Sequence, residues 1–80
     1  MKPDEEKFLC LLANDRPKQL SNGPNADDIG IIFGMPLKRM HFLYEKWGRQ
    51  GIWESGVSDR TGWLTDKGLE IAADINNANA

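Results

Sequence analysis

Basic side chains gather in one stretch of the chain, residues 34–49, which reads GMPLKRMHFLYEKWGR. The stretch contains one acid, Glu45, and it places the aromatic residue Phe42 among the charges. Its bases are Lys38, Arg39, Lys46 and Arg49. A local concentration of positive charge attracts a polyanion even when the rest of the chain is acidic. The stretch therefore favours polyanion binding, and the alternative is that its bases are merely hydrated on an exposed helix face.

The positive charge is local, because the 80-residue chain carries a formal net charge of −2. Residues 31–52 hold four bases and one acid, whereas acids outnumber bases both before and after this segment. A chain of this length makes one domain, which we place at residues 1–80. Hydrophobic residues make up 40% of the chain, enough for a small core, so we expect a folded domain.

Residues that could support catalysis or hold a metal ion are sparse. His41 is the only histidine and Cys10 the only cysteine, and they lie in different predicted helices. A Cys–His nucleophile pair is conceivable, but Cys10 is better explained as a small packing residue. The acids Asp4, Glu5 and Glu6 suit the positive end of a helix dipole. We therefore expect a protein that is not an enzyme and that uses no cofactor and no metal.

The cysteine content and the apolar runs bear on the compartment. A single cysteine cannot form an internal disulfide, which fits a reducing environment. The first residues are too acidic, and their apolar run is too short, for a signal peptide. No apolar stretch approaches the roughly 20 residues that span a bilayer. We expect a cytoplasmic protein with no membrane partner.

Apolar spacing and turn residues predict two helices in the first half of the chain. The first helix should stop near Asn14, because Pro17 cannot continue it. A loop rich in Pro, Gly, Ser and Asn follows. Asn25 then caps a second helix, with Asp28 as its imperfect capping-box partner, and Gly34 ends that helix. The inward face of the second helix is predicted to hold Ile29, Ile32 and Phe33.

A third helix is predicted to open at Pro36, and a hairpin and a fourth helix follow it. The apolar side of the third helix should hold Leu37, Met40, Leu43, Tyr44 and Trp47. The turn of the hairpin is expected in the stretch SDRTG. Trp53 and Trp63 are expected to pair across the hairpin, on the side opposite Ile52 and Leu64. Such a pair can stiffen the hairpin, or it can form an apolar surface for a partner.

The fourth helix is predicted to begin after Thr65, whose hydroxyl is a suitable cap. Its inward residues should be Leu69, Ala72 and Ala73. Residues 76–80 are expected to form a frayed tail.

Three motifs in this order resemble the winged helix-turn-helix family, over residues 5–75. In IGIIFGMPLKRMHFL, Gly30 stands where the family has a small residue, and Gly34 stands in the turn. WGRQGIWE is similar to the passage from the recognition helix into the wing. GWLTDKGLEIA is similar to the exit from the wing, where Leu64 and Thr65 match. Family members often carry alanine at the Gly30 position, so we expect close helix packing there.

The resemblance implies a mainly α fold with a small β-hairpin: three helices, a two-stranded wing and a C-terminal helix. In this family the third helix enters the major groove and the wing touches the backbone or the minor groove. Near base edges the resemblance places Pro36, Leu37, Lys38, His41, Phe42 and Glu45. Lys38 can donate to guanine, and Phe42 can contact a thymine methyl group. Phosphate contacts are expected from Arg39, Lys46, Arg49 and Arg60.

Two classes of function remain open from the sequence. The first is a small transcriptional regulator of bacterial or phage type that binds double-stranded DNA, with a homodimer on two half-sites strengthening the binding. The second is a winged-helix module, or a host-directed inhibitor, that binds protein instead of DNA. The acidic net charge and a wing with one base, Arg60, favour the second class. Phe42 can be a base contact, a loosely packed core residue or an anchor for a protein partner.

Overall fold

The computed structural model describes residues 1–20, 25–55 and 62–78, which form four helices and one two-stranded hairpin. The elements are α1 (Pro3–Leu20), α2 (Ala26–Phe33), α3 (Leu37–Arg49), β1 (Trp53–Ser55), β2 (Gly62–Leu64) and α4 (Asp66–Ala78). This part of the chain is mainly helical, and its order of elements is compatible with a winged-helix layout. The predicted order of three helices, a hairpin and a final helix is confirmed for the described residues.

Helix α1 is longer than predicted. It continues past Asn14 and through Pro17 to Leu20, so the prediction that it stops near Asn14 was wrong. A proline inside a helix removes one backbone hydrogen bond and crowds the preceding turn, but the turns on either side keep their own hydrogen bonds. Of the helices in the described ranges, none is long and apolar enough to cross a membrane.

Helix α2 is bounded by the two signals that the sequence predicts. The side chain of Asn25 accepts a hydrogen bond from the Asp28 amide at 2.9 Å, and the Asp28 carboxylate accepts one from the Asn25 amide at 3.3 Å. At the other end, Gly34 adopts φ +96° and donates to the carbonyl oxygen of Gly30 at 3.0 Å. The positive φ is one that side chains disfavour, which explains the glycine in this turn.

The crossing of α2 and α3 depends on Gly30. A Cβ atom at this position would overlap the side chain of Met40, so the two helices meet at the glycine backbone. The expected close helix packing at Gly30 is therefore confirmed. From α3, the four buried core residues are Met40, Leu43, Tyr44 and Trp47.

Three residues predicted to face the core are exposed instead. Leu37 begins α3, and the preceding Met35 fills the core at this corner. Ile32 is 86% exposed, because the helical period places it on the side of α2 opposite Gly30. Ala73 is exposed on α4, whereas its neighbour Ala72 faces the core.

The strands pair in a register that separates the two tryptophans. Trp53 lies opposite Leu64, and Glu54 lies opposite Trp63. The predicted pairing of Trp53 with Trp63 was therefore wrong, because a shift of one residue turns a side chain to the other face of the sheet. Trp53 is buried, and its ring stacks on Tyr44 with centroids 4.5 Å apart and planes inclined by 10°. The predicted SDRTG turn lies almost entirely outside the described residues.

Helix α4 begins as predicted and extends further than predicted. The Gly68 amide donates to the Thr65 hydroxyl at 3.2 Å, which confirms Thr65 as the cap. The same hydroxyl donates to the Gly51 carbonyl at 2.6 Å and so fixes the start of α4 to the end of α3. Residues 76–78 belong to the helix, which corrects the frayed tail predicted from residue 76. Residues 79–80 lie outside the described residues.

Candidate nucleic-acid interface

The side of α3 that faces away from the core carries most of the predicted site residues, and we refer to it as the α3 face. It is formed by Leu37, Lys38, His41, Phe42, Glu45, Lys46 and Arg49. All of these are exposed except Lys46, which is half-buried. Lys38, Phe42 and Lys46 follow one another at four-residue steps, so they form one stripe along the helix. His41 and Glu45 form a second stripe beside it.

Three bases of the α3 face are available to an external ligand. Lys38, Lys46 and Arg49 make no side-chain hydrogen bond and no ion pair with any described residue. Lys46 and Arg49 also lie in the last turn of α3, where the helix dipole favours positive charge. The ammonium and guanidinium groups are therefore solvated, and they can exchange water for phosphate oxygens without breaking an internal contact.

Arg39 differs from the other bases, because two acids of α1 bind it. Its guanidinium donates to the Asp4 carboxylate at 2.9 and 3.2 Å and to the Glu5 carboxylate at 3.2 Å. The hydrogen bonds that Arg39 donates to Asp4 lower the pKa of Asp4, and the same bonds raise the pKa of Arg39. Arg39 was expected to contact phosphate, but its Nε and Nη2 atoms form an intramolecular bridge between α3 and the acids of α1.

His41 and Tyr44 are joined to α2 through Asp27, a buried acid. The Tyr44 hydroxyl donates to the Asp27 carboxylate at 3.0 Å, and His41 Nε2 lies 3.4 Å from the other carboxylate oxygen. Burial, together with the hydrogen bond and negative charge of Asp27, raises the pKa of Tyr44 far above its usual range. Tyr44 therefore remains a neutral donor at physiological pH.

The sequence interpretation missed Asp27 as part of this site. In the sequence, Asp27 is an acid in the first turn of a helix, which the helix dipole alone explains. No local signal distinguishes it from Asp28, which completes the cap. Only the crossing of α2 over α3 brings its carboxylate to His41 and Tyr44.

A cavity of about 320 Å³ opens between α3 and β1. It is lined by His41, Tyr44, Glu45, Trp53 and Ser55. The α3 face and the hairpin thus border a common recess, and the stacked rings of Tyr44 and Trp53 hold its two sides together. Glu45 and Ser55 supply polar atoms at this recess.

Phe42 is 54% exposed, so the interpretation of this ring as a core residue was wrong. It belongs to a group of exposed large apolar side chains at the end of α2 and along α3. The others are Ile31 at 60%, Ile32 at 86% and Leu37 at 46% exposure. The end of α2 and the length of α3 are therefore more apolar at the surface than the charges of α3 alone suggest.

Arg60, the remaining predicted DNA contact, lies outside the described residues. The single cysteine was predicted as a packing residue and not as part of the site. Cys10 lies on α1, where its thiol donates a long hydrogen bond of 3.8 Å to the Ala72 carbonyl. Burial, and secondarily the charge of Glu6, raises the pKa of Cys10, so the thiol stays protonated at neutral pH. Among the described residues, no group of three or more His, Cys, Asp or Glu side chains could hold a metal ion.

The chain was compared with known proteins at the level of family, sequence and structure. No protein-family model, no curated protein and no solved structure matches it. The functional assignment therefore depends on the chemistry and the geometry of the α3 face.

Proposed function

We propose that this protein is a winged helix-turn-helix protein that binds double-stranded DNA and regulates transcription, as bacterial and phage regulators of this size do. The observation that carries the proposal is the set of three solvated bases, Lys38, Lys46 and Arg49, around the exposed ring of Phe42 on one helix face. A helix fits the major groove of B-form DNA, and basic side chains along its sides reach the phosphates.

The roles divide along the α3 face. Lys46 and Arg49, near the end of the helix, suit phosphate oxygens and fix the register of the protein on the duplex. Lys38 lies in the first turn, where recognition helices contact base edges, and its ammonium group can donate to guanine O6 or N7. Phe42 can pack on a thymine methyl group. Arg39 keeps α3 oriented on α1 and is left out of the proposed DNA contacts.

A single domain with three basic side chains on the α3 face has few contacts to DNA. Each phosphate that a basic side chain neutralises contributes about one unit to the slope of log affinity against log salt concentration. A monomer with so few contacts binds weakly at physiological salt. We therefore include a homodimer on two half-sites in the proposal, because two α3 faces one helical turn of DNA apart double the number of contacts.

A titration of DNA at two salt concentrations tests the proposal. The wild type should bind mixed genomic duplex fragments at low salt and lose affinity as salt is raised. The Lys38→Ala/Lys46→Ala double variant should bind DNA more weakly than the wild type. Its salt slope should be smaller by about one unit if Lys38 contacts only base edges. The decrease should be about two units if Lys38 also approaches a phosphate. The fold should tolerate both changes within about 0.5 kcal/mol, because neither side chain is in the core.

A matched control removes two bases elsewhere. Lys2 lies just before α1 and Lys7 lies on it. Both are exposed, and neither belongs to the α3 face. The Lys2→Ala/Lys7→Ala variant changes the net charge by the same amount, so it should keep most of the affinity if the α3 face is the site. Equal losses in the two double variants would point to a non-specific charge effect and would count against the assignment to α3.

The second candidate function is a winged-helix module that binds a protein partner. It is favoured by the apolar side chains of Ile31, Ile32, Leu37 and Phe42, which are exposed around the turn between α2 and α3. Exposed large apolar side chains that lie near one another are typical of protein interaction sites. If the wild type shows no salt-dependent association with any duplex at low salt, this candidate replaces the first. Binding to the partner should then be lost in Ile32→Ser and Phe42→Ala, and retained in Lys46→Ala.

A further inference from the structure

Glu45 is an unexpected residue on a surface that faces DNA. It is the only acid of α3, it is exposed, and its carboxylate makes no hydrogen bond or ion pair with a described residue. A carboxylate near phosphates is repelled, so its presence among Lys38, Lys46 and Arg49 lowers non-specific affinity. An acid is favourable at such a position when it accepts a hydrogen bond from a base edge.

His41, one turn before Glu45, presents an acceptor as well. Its Nε2 atom lies 3.4 Å from the Asp27 carboxylate, which accepts and does not donate, so the tautomer that satisfies this contact carries its proton on Nε2. In the neutral ring the second nitrogen, Nδ1, is then an acceptor. Nδ1 makes no hydrogen bond with a described residue, and the side chain is 42% exposed. The charged or titratable groups around the ring are Asp27, Lys38, Tyr44 and Glu45.

His41 and Glu45 therefore offer two hydrogen-bond acceptors. Arg49 continues the same stripe four residues after Glu45, and its guanidinium donors are the ones assigned above to phosphate oxygens. In the major groove, the donors on base edges are the N4 amino group of cytosine and the N6 amino group of adenine. Two residues four apart are separated by about 6 Å along a helix, which corresponds to about two base steps of 3.4 Å. Both acceptors can thus reach bases in one short site.

We infer that His41 and Glu45 make this protein select duplex DNA with two closely spaced amino-bearing bases in the major groove, cytosine opposite Glu45 and adenine or cytosine opposite His41. This inference rests on the proposed DNA-binding function. Asp27 acts as a positioning residue, because it determines which nitrogen of His41 faces the base. Lys38 supplies the opposite specificity, since it can only donate and so prefers guanine.

Selection of binding sites from a pool of random double-stranded oligonucleotides tests the assignment of Glu45. The wild type should enrich cytosine at one position. Glu45→Gln should enrich adenine there, because a glutamine amide bonds adenine N6 and N7 together. The preference between the two bases should change by about tenfold or more, as expected for one bidentate contact. Glu70→Gln, an equivalent change on the exposed side of α4, should leave the selected site unaltered.

The variant Asp27→Asn tests the assignment of His41. An asparagine amide can donate to His41 Nε2, which leaves the proton on Nδ1 and makes it a donor. The base opposite His41 should then change from an amino-bearing base to guanine or thymine, whose exposed oxygens accept. A purely structural role of Asp27 would lower affinity for all sites alike without this change. If Asp27→Asn fails to fold, His41→Phe removes the acceptor, and it should abolish the preference at that position.

The outcomes separate the inference from the function on which it rests. If Glu45→Gln and His41→Phe bind DNA and select the same site as the wild type, the inference is overturned and DNA binding stands. If the wild type binds no duplex at low salt, the DNA-binding function fails and the base assignment fails with it. A switch from cytosine to adenine in Glu45→Gln alone supports Glu45 and rejects His41.

Discussion

Removal of one group, the hydroxyl of Tyr44, should measurably lower the free energy of unfolding. It is the closest donor to the buried Asp27 carboxylate among the described residues, at 3.0 Å. In Tyr44→Phe the carboxylate loses this donor while it stays buried, which costs about 1–3 kcal/mol. We expect that decrease in the free energy of unfolding, measured by urea denaturation.

Phe42→Ala is the matched comparison for this measurement. It truncates an aromatic residue of the same helix that is exposed, so the free energy of unfolding should change by no more than about 0.5 kcal/mol. Equal stability losses in Tyr44→Phe and Phe42→Ala would show that the hydrogen bond to Asp27 does not contribute to folding.

Individual residues show where sequence reasoning works and where it stops. Asn25, Gly34 and Thr65 were correctly predicted as cap residues, because a cap interacts with backbone only a few positions away. The partners of Arg39 and His41 were not predicted. Each lies at least 14 positions away in the chain, and its position depends on how two helices cross.

At the scale of elements, the bridge from Arg39 to Asp4 should make the attachment of α1 to α3 sensitive to acid. The hydrogen bonds from Arg39 hold the pKa of Asp4 below its ordinary value of 3.8 in the folded state. The bridge therefore adds stability above pH 3.8, and this stability is lost as the pH falls through the lower folded pKa. The melting temperature of the wild type should exceed that of Asp4→Asn at neutral pH, and the difference should shrink below pH 3.8.

Asp74→Asn serves as the control for this pH dependence, because Asp74 is exposed on α4 and lies far along the chain from Arg39. Its effect on the melting temperature should be small at all pH values. A difference between wild type and Asp4→Asn that persists unchanged to the lowest pH would rule out the ion pair as the cause.

The close crossing of α2 and α3 should make stability sensitive to the size of residue 30. Gly30→Ala adds a Cβ atom that overlaps Met40, and overpacking of this kind costs about 1–3 kcal/mol. The better helix propensity of alanine offsets about 0.5–1 kcal/mol of this cost, so a net loss of stability is expected. Gly48→Ala is the same substitution in α3, where the nearest non-local atom would be 3.9 Å away. There the better helix propensity of alanine should stabilise the fold by about 0.5–1 kcal/mol. Thermal denaturation of both variants should give shifts of opposite sign.

Sequence patterns predicted these elements better than their exposed faces. The existence and order of all four helices and of the hairpin were predicted, because turn residues and apolar periods are local. Ile32 and Leu37 were assigned to the core because they fit the apolar spacing of their helices. Both are exposed, and Met35, which precedes α3, is buried instead. The register of Trp53 against Leu64 could not be read from two strands of three residues, since they contain too few alternations.

For the whole molecule, we expect self-association in solution. Trp53 is buried, so the predicted patch of two exposed tryptophans does not form, and we assign the expected dimer contact to α4. It carries Leu69 and Ile71, which are only partly buried against the core. Sedimentation at micromolar concentration should give a mass about twice the 9.0 kDa of the chain. A species of 9.0 kDa at all concentrations would contradict a dimer of the free protein.

The parallel stack of Tyr44 and Trp53 also has an optical consequence. Rings this close couple their electronic transitions, so part of the near-ultraviolet circular dichroism arises at the junction of α3 and the hairpin. The far-ultraviolet signal, by contrast, reports the helices as a group. A hairpin that swings away from α3 would erase the first signal and leave the second intact. The chain thus contains its own spectroscopic reporter of hairpin movement, and no attached dye is needed.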